Sequence, residues 1–206
     1  MSSPARWPGP CCYNVEMAAE TMNADQFDVF TLGFSNRTWE ATLEILRSFG
    51  IQRLVDIRTL PGSRYSPQFN QENLARELHR AGIEYLHLKS LGGLRKPRRE
   101  NSVNAGWHNE SFRGYADYMQ TADFVQALDE LIRLLREKRT AYACTEAAFW
   151  RCHRSLVSDA LQIRGCRPGH IFSAADCRPH RLTPFARVDG LGITYPEPEP
   201  TLKGER

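Results

Sequence analysis

Phe27-Asp-Val-Phe-Thr-Leu-Gly-Phe-Ser-Asn36 and Arg53-Leu-Val-Asp-Ile57 flank a segment whose apolar residues recur at helical spacing. The first stretch alternates and is rich in β-formers up to Leu32, so it reads as a strand. Gly33-Phe-Ser-Asn36 turns the chain, Asn36 is placed to cap a helix running to about Ser48, and Gly50 closes that helix. The second stretch is a strand again. A strand, a helix and a strand in this order form the unit from which parallel sheets are built.

The same alternation continues in both directions. The spacing predicts a helix over residues 70–81 stopped by Gly82, a strand Ile83 to Leu88, and a polar loop from Lys89 to about Glu110. It then predicts a short helix near Tyr115 and an amphipathic helix from Thr121 to Lys138, with Phe124, Leu128, Leu131 and Leu135 on one face. Thr140-Ala-Tyr-Ala-Cys144 is a fourth strand, residues 151–164 a helix, and His170-Ile-Phe172 a fifth strand. Arg181 to Val188 is expected as a short sixth strand. The fold class is therefore α/β: a single three-layer domain whose mostly parallel sheet of about five strands is flanked by helices. Residues 1–25 read as a flexible leader, 26–188 as the domain and 189–206 as a C-terminal tail.

Composition fits that picture. Of 206 residues, 41% are hydrophobic and 25% charged, the balance of a soluble globular chain. No run approaches the roughly 18 apolar residues of a membrane span, and the N-terminus lacks a basic start before an apolar stretch. A cytoplasmic protein with no membrane partner is expected. Of six cysteines, Cys11 and Cys12 fall in the leader, and Cys144, Cys152, Cys166 and Cys177 in the domain. Reduced thiols follow from the compartment. A net charge of +3 is too small to imply nucleic-acid binding by itself.

Ligands of parallel sheets bind beyond the carboxyl ends of the strands, so the residues that follow each strand locate the chemistry. Asn36 follows the first strand, Arg58 and Arg64 the second, and Arg95 the third, together with Lys96, Arg98 and Arg99. The fourth is followed by Cys144, Glu146, Arg151, Cys152, His153 and Arg154. Guanidinium groups at such an edge match phosphate, sulfate or carboxylate. Solubility explains Lys96, Arg98 and Arg99 equally well, Arg58 and Arg64 less easily, and Asp56 and Arg58 form a structural salt bridge as readily as a catalytic pair.

Cys152, His153 and Arg154 are expected in the first turn of a helix, whose free N–H groups stabilise a thiolate and attract anions. Cys144 and Cys152 are thus candidate nucleophiles, and Glu146 and His153 candidate acids or bases. Each has a plain alternative: buried thiols that only pack, a histidine that caps, a glutamate paired with an arginine. Cys144, Cys152 and His153 lack the Cys-x2-Cys spacing of a zinc site, so neither a metal nor a cofactor is expected.

Several segments in this order resemble the domain of unknown function 488 family. They are Gly33-Phe-Ser-Asn36, Val55-Asp-Ile-Arg58, Pro61-Gly-Ser-Arg64 with Phe69, Leu91-Gly-Gly93 with Arg95, Phe112-Arg-Gly-Tyr-Ala116, and Cys144-Thr-Glu146 with Arg151-Cys-His-Arg-Ser155. The resemblance runs from about Thr31 to Val188. It implies a site at Asn36, Arg58, Arg64, Arg95, Cys144, Glu146, Cys152, His153 and Arg154, without implying a reaction. A weaker likeness to rhodanese and cysteine-phosphatase folds rests on Val55-Asp-Ile-Arg58 and Cys144. It is broken by Trp150, where a phosphatase loop carries arginine.

Two functions fit these residues. One is an enzyme using a low-pKa thiol, or Glu146 with His153, on an anionic small molecule or nucleotide. The other is a noncatalytic nucleotide or nucleic-acid module, with Tyr65, Phe69 and Trp107 available for base stacking. The Lys89 to Glu110 loop, with Gly92, Gly93 and Gly106, is expected to be a mobile cover over the site.

Overall fold

The computed structural model describes residues 24–97 and 101–197. Cys11, Cys12, Arg98, Arg99, most of the expected leader and half of the expected C-terminal tail lie outside them. Six strands form one sheet: β1 (Val29–Gly33), β2 (Arg53–Asp56), β3 (Glu84–His87), β4 (Thr140–Cys144), β5 (Pro168–Ser173) and β6 (Asp176–Pro179). Their spatial order is β3-β2-β4-β1-β5-β6, parallel throughout except for the β5–β6 hairpin at one edge. Five helices cover it: α1 (Trp39–Ser48), α2 (Gln71–Arg80), α3 (Glu110–Tyr118), α4 (Ala122–Glu137) and α5 (Arg154–Gln162).

Strand alternation sorts the core into two slabs. Tyr142 of β4, with Val29 and Val55, points into a slab closed by α3, α4 and α5, where Leu128, Leu131, Leu156, Val157 and Leu161 are buried. Ala141 and Ala143, with Phe30, Leu32 and Leu54, face the other slab, closed by Ile45 and Leu46 of α1 and Leu74 and Leu78 of α2. This is the three-layer α/β domain expected. Glycines end three of its helices in the left-handed region: Gly50 at φ +59°, Gly82 at φ +76° and Gly165 at φ +82°.

Three local expectations are corrected. Asn36 is exposed and caps nothing in α1; Thr38 does, accepting from the Ala41 N–H at 3.2 Å. The sixth strand is Asp176–Pro179, not Arg181 to Val188. Its single core side chain, Cys177, carries no periodic signal, and pairing with β5 creates the strand. Beyond Asp189 the chain is not yet tail: Arg187–Asp189 (β7) and Gly192–Thr194 (β8) form a hairpin that sets Ile193 and Tyr195 into the core. Tyr195 is fully buried, its OH donating to Asp159 at 2.9 Å. No helix among the described residues is long and apolar enough to cross a membrane.

β1 and β4 are neighbours, yet β1 leads to α1 on one face and β4 to α5 on the other. The crevice between such diverging connections is where a parallel sheet holds its ligand.

Candidate functional site

At that crevice Gly33, the last residue of β1, is in register with Cys144, the last of β4. The chain after Cys144 crosses directly over Gly33. A Cβ there would lie 2.0 Å from the Glu146 carbonyl oxygen, so only glycine admits the crossing. The Phe34 N–H donates to Cys144 O (2.9 Å) and the Ser35 N–H to Thr145 O (2.7 Å), fastening the loop to the end of β1.

The loop continues through a short turn, Phe149–Arg151, and returns at Cys152, just before α5. Cys152 therefore precedes the helix instead of lying in its first turn; His153 is the N-cap and Arg154 the first helical residue. The loop brings Cys144, Cys152 and His153 together. Their sulfur and ring-nitrogen atoms lie within 4.8 Å of one another. No other group of three such donors is that close among the described residues, and these three could share one metal ion.

His153 is held from two sides. Its Nε2 is 3.2 Å from the carbonyl oxygen of Ile57, which only accepts, so Nε2 carries a proton and donates. Nδ1 then faces Cys152 Sγ at 3.6 Å. The Tyr115 ring packs against the imidazole at a centroid distance of 5.0 Å, and its OH donates to Leu91 O. Gly93 closes the remaining side: a Cβ there would sit 2.3 Å from Nδ1. The loop from Lys89 is thus part of the wall around His153, with Leu91 fully buried, where a mobile cover was expected.

The two thiols are not equivalent. Cys152 is buried and its thiol is held well below the usual range, first by a hydrogen bond from Cys144, then by His153 and Arg154, against the opposing effect of burial. Cys144, half-buried, is pushed up because it donates to Cys152, and by burial. Cys166 and Cys177 are also pushed up by burial, the latter to about 12.

The basic residues divide. Arg154 is 1% exposed; it donates to Thr31 Oγ1 (3.0 Å), Glu146 O (2.5 Å) and Ala147 O (3.1 Å), and its Nε–H has no hydrogen-bond partner among the described residues. Arg58 is engaged inside the protein: it forms a buried pair with Asp56, donates to Phe69 O and lies over the Phe34 ring. Of the two roles open to Asp56 and Arg58, the structure shows the salt bridge. Arg95 turns back onto Gly92 O and Ser90 O and stacks on Tyr118 at 3.6 Å. Arg64, Arg151 and Asn36 are exposed. Glu146 is exposed too, and its carboxylate accepts from Ala148 N instead of orienting His153; its backbone carbonyl is what reaches the site.

The expected stacking residues separate in the same way. Phe69 is buried against Phe34, and Trp107 is packed among Phe112, Phe185 and Tyr195; Tyr65 alone of the three is open, at 98% exposure. Sequence reasoning missed Tyr115 and the close packing of Gly93. It also missed a buried chain behind Arg154, in which His170 Nε2 meets His180 Nδ1 (2.9 Å) and His180 Nε2 meets Asp159 (2.8 Å). The spacing of His170, His180 and Asp159 carries no motif; the β5–β6 hairpin brings the two histidines together and α5 supplies Asp159.

No curated protein and no solved structure matches the chain. The model of the family described as Domain of unknown function DUF488 matches residues 38–161, which run from the cap of α1 through Cys144, Cys152, His153 and Arg154 into α5. That match covers more than half of the chain, which therefore belongs to this family.

Proposed function

We propose that the chain is an enzyme that uses the Cys152 thiolate on an anionic small molecule or nucleotide. The observation that carries this reading is the double hold on His153: Ile57 O fixes one ring nitrogen, which aims the other at Cys152 Sγ. A nucleophile, a base and a group that orients the base are the parts a covalent mechanism requires. His153 takes the Cys152 proton onto Nδ1 and returns it to a leaving group. The anionic preference is supported by Arg154, whose described partners are uncharged oxygens, and by exposed Arg64 and Arg151 on loops at the same sheet edge.

The test is alkylation by iodoacetamide across pH, in a Cys11→Ser, Cys12→Ser background, with peptide mapping. Cys152 is expected to react at neutral pH, protected by inorganic phosphate, while Cys166 and Cys177 lag by roughly tenfold or more, since an ordinary thiol is only a few per cent ionised there. Cys152 inert up to pH 9 sinks the reading. A noncatalytic nucleotide or nucleic-acid module is favoured by one observation. Tyr65 and Trp150, 98% and 56% exposed, adjoin Arg64 and Arg151 in sequence. A salt-sensitive polynucleotide affinity lost in Tyr65→Ala, Trp150→Ala, with no reactive thiol, would select it.

A further inference from the structure

A covalent nucleophile needs one sulfur, and this site has two. Cys144 Sγ lies within 4.8 Å of Cys152 Sγ and is half-buried where Cys152 is 5% exposed. A second thiol beside the nucleophile is not a reacting group in acyl or phosphoryl transfer. It is what a two-electron reduction needs, because the second sulfur can take up the first once that is oxidised.

We propose that Cys144 and Cys152 together reduce small hydroperoxides, with a low-molecular-weight thiol restoring them. The proposal rests on the Cys152 thiolate of the preceding section and names a further substrate class for it. Size selects the oxidant: a sulfur that is 5% exposed, walled by Tyr115 and Gly93 through His153, admits a two-oxygen molecule more readily than a bulky disulfide.

In the first step Cys152 Sγ attacks the terminal oxygen of the hydroperoxide. The S–O bond forms, the O–O bond breaks, sulfur is oxidised to sulfenic acid, and the departing alkoxide leaves as the alcohol with the proton from His153 Nδ1. In the second step Cys144 gives its proton to His153 and attacks Cys152 Sγ. The S–S bond forms, the S–O bond breaks, and hydroxide leaves as water with that proton. Two molecules of external thiol then reduce the disulfide, returning both cysteines and the proton on Nδ1 and leaving as their own disulfide. Closure brings sulfurs no more than 4.8 Å apart to about 2.05 Å, a movement of at most about 3 Å at the ends of a short loop.

The experiment uses the full chain in the Cys11→Ser, Cys12→Ser background. The reduced protein is exposed to stoichiometric hydrogen peroxide, quenched with catalase, alkylated and mapped. A disulfide joining the Cys144 and Cys152 peptides is expected, with Cys166 and Cys177 still alkylated. Cys144→Ser should instead trap a sulfenic acid at Cys152 that reacts with dimedone. Cys152→Ser should leave Cys144 unoxidised. With glutathione present, peroxide consumption should persist through many turnovers and be lost in both variants, each checked for an unchanged circular dichroism spectrum. Rapid alkylation of Cys152 with no disulfide and no peroxide consumption overturns this inference and leaves the thiolate reading standing. Failure of alkylation as well removes both.

Discussion

Replacing Gly93 by alanine tests the site without replacing any reacting group. The added methyl carbon would lie 2.3 Å from His153 Nδ1 and 2.8 Å from its Cγ and Cε1. Ordinary contact is about 3.5 Å, so the ring must move by roughly 1 Å. A half-buried imidazole can give that much, and the fold should lose only about 1–3 kcal/mol. The ring cannot move so far and keep both its 3.2 Å bond to Ile57 O and its 3.6 Å contact with Cys152 Sγ. Loss of a hydrogen bond to a charged group is worth about 1.5–3 kcal/mol. That lowers the thiolate-to-thiol ratio at Cys152 roughly 10- to 100-fold on the acid side of its titration. Stopped-flow iodoacetamide alkylation from pH 5 to 9, in the background lacking Cys11 and Cys12, measures it. The profile should move toward higher pH, as it should in His153→Asn. If folded Gly93→Ala overlays the parent, His153 is not what holds the thiolate, and the role argued for it is wrong.

Two further outcomes follow from the surrounding structure. Arg58→Met should cost about 3–5 kcal/mol in urea unfolding because Asp56 is left buried without its partner, and adding Asp56→Asn should recover much of that. An unchanged midpoint combined with lost anion protection would instead make Arg58 a ligand-binding residue. His170 is held well below the usual histidine range, first by burial, then by His180 and Arg154. Its folded-state value is depressed, so the folded protein binds fewer protons than the unfolded chain below about pH 6.5. Stability is full above that pH and is lost as pH falls, by up to about 1.4 kcal/mol per pH unit. His170→Gln should flatten the fall between pH 6.5 and 5, and an unchanged slope would show that another group drives it.

The alternation of the chain was legible where one side chain in two meets a core. Thr140-Ala-Tyr-Ala-Cys144 puts Tyr142 into one slab and Ala141 and Ala143 into the other, so the strand is readable from the sequence. Asp176–Pro179 was not, because one cysteine and a proline give no period and its partner strand supplies the conformation. The thiol cluster was legible for a related reason: Cys144, Cys152 and His153 lie on a single loop, and strand end and helix start fix where that loop sits. Gly93 lies sixty positions before His153, and nothing local announces a contact made across the fold. Arginines were the least legible. Arg58 and Arg64 look alike in sequence, yet one is sealed against Asp56 and Phe69 while the other is exposed. Charge is written in the sequence; the counter-charge is a property of the fold.

That distinction changes how the positive edge works. With Arg58 neutralised by Asp56, the charge that matters at the thiols is Arg154, buried among Thr31 Oγ1 and two backbone carbonyls. A buried guanidinium bonded only to uncharged oxygens is costly unless a negative group stands near it. In the proposed mechanism the Cys152 thiolate would be that group, and Arg154 is among the causes that hold the thiol down. Oxidation or alkylation of Cys152 would then remove that charge from beside Arg154. The guanidinium is then left to the carbonyls of Glu146 and Ala147, the same loop that joins Cys144 to Cys152. On that proposal, chemistry at the sulfur and the placement of that loop form one electrostatic unit.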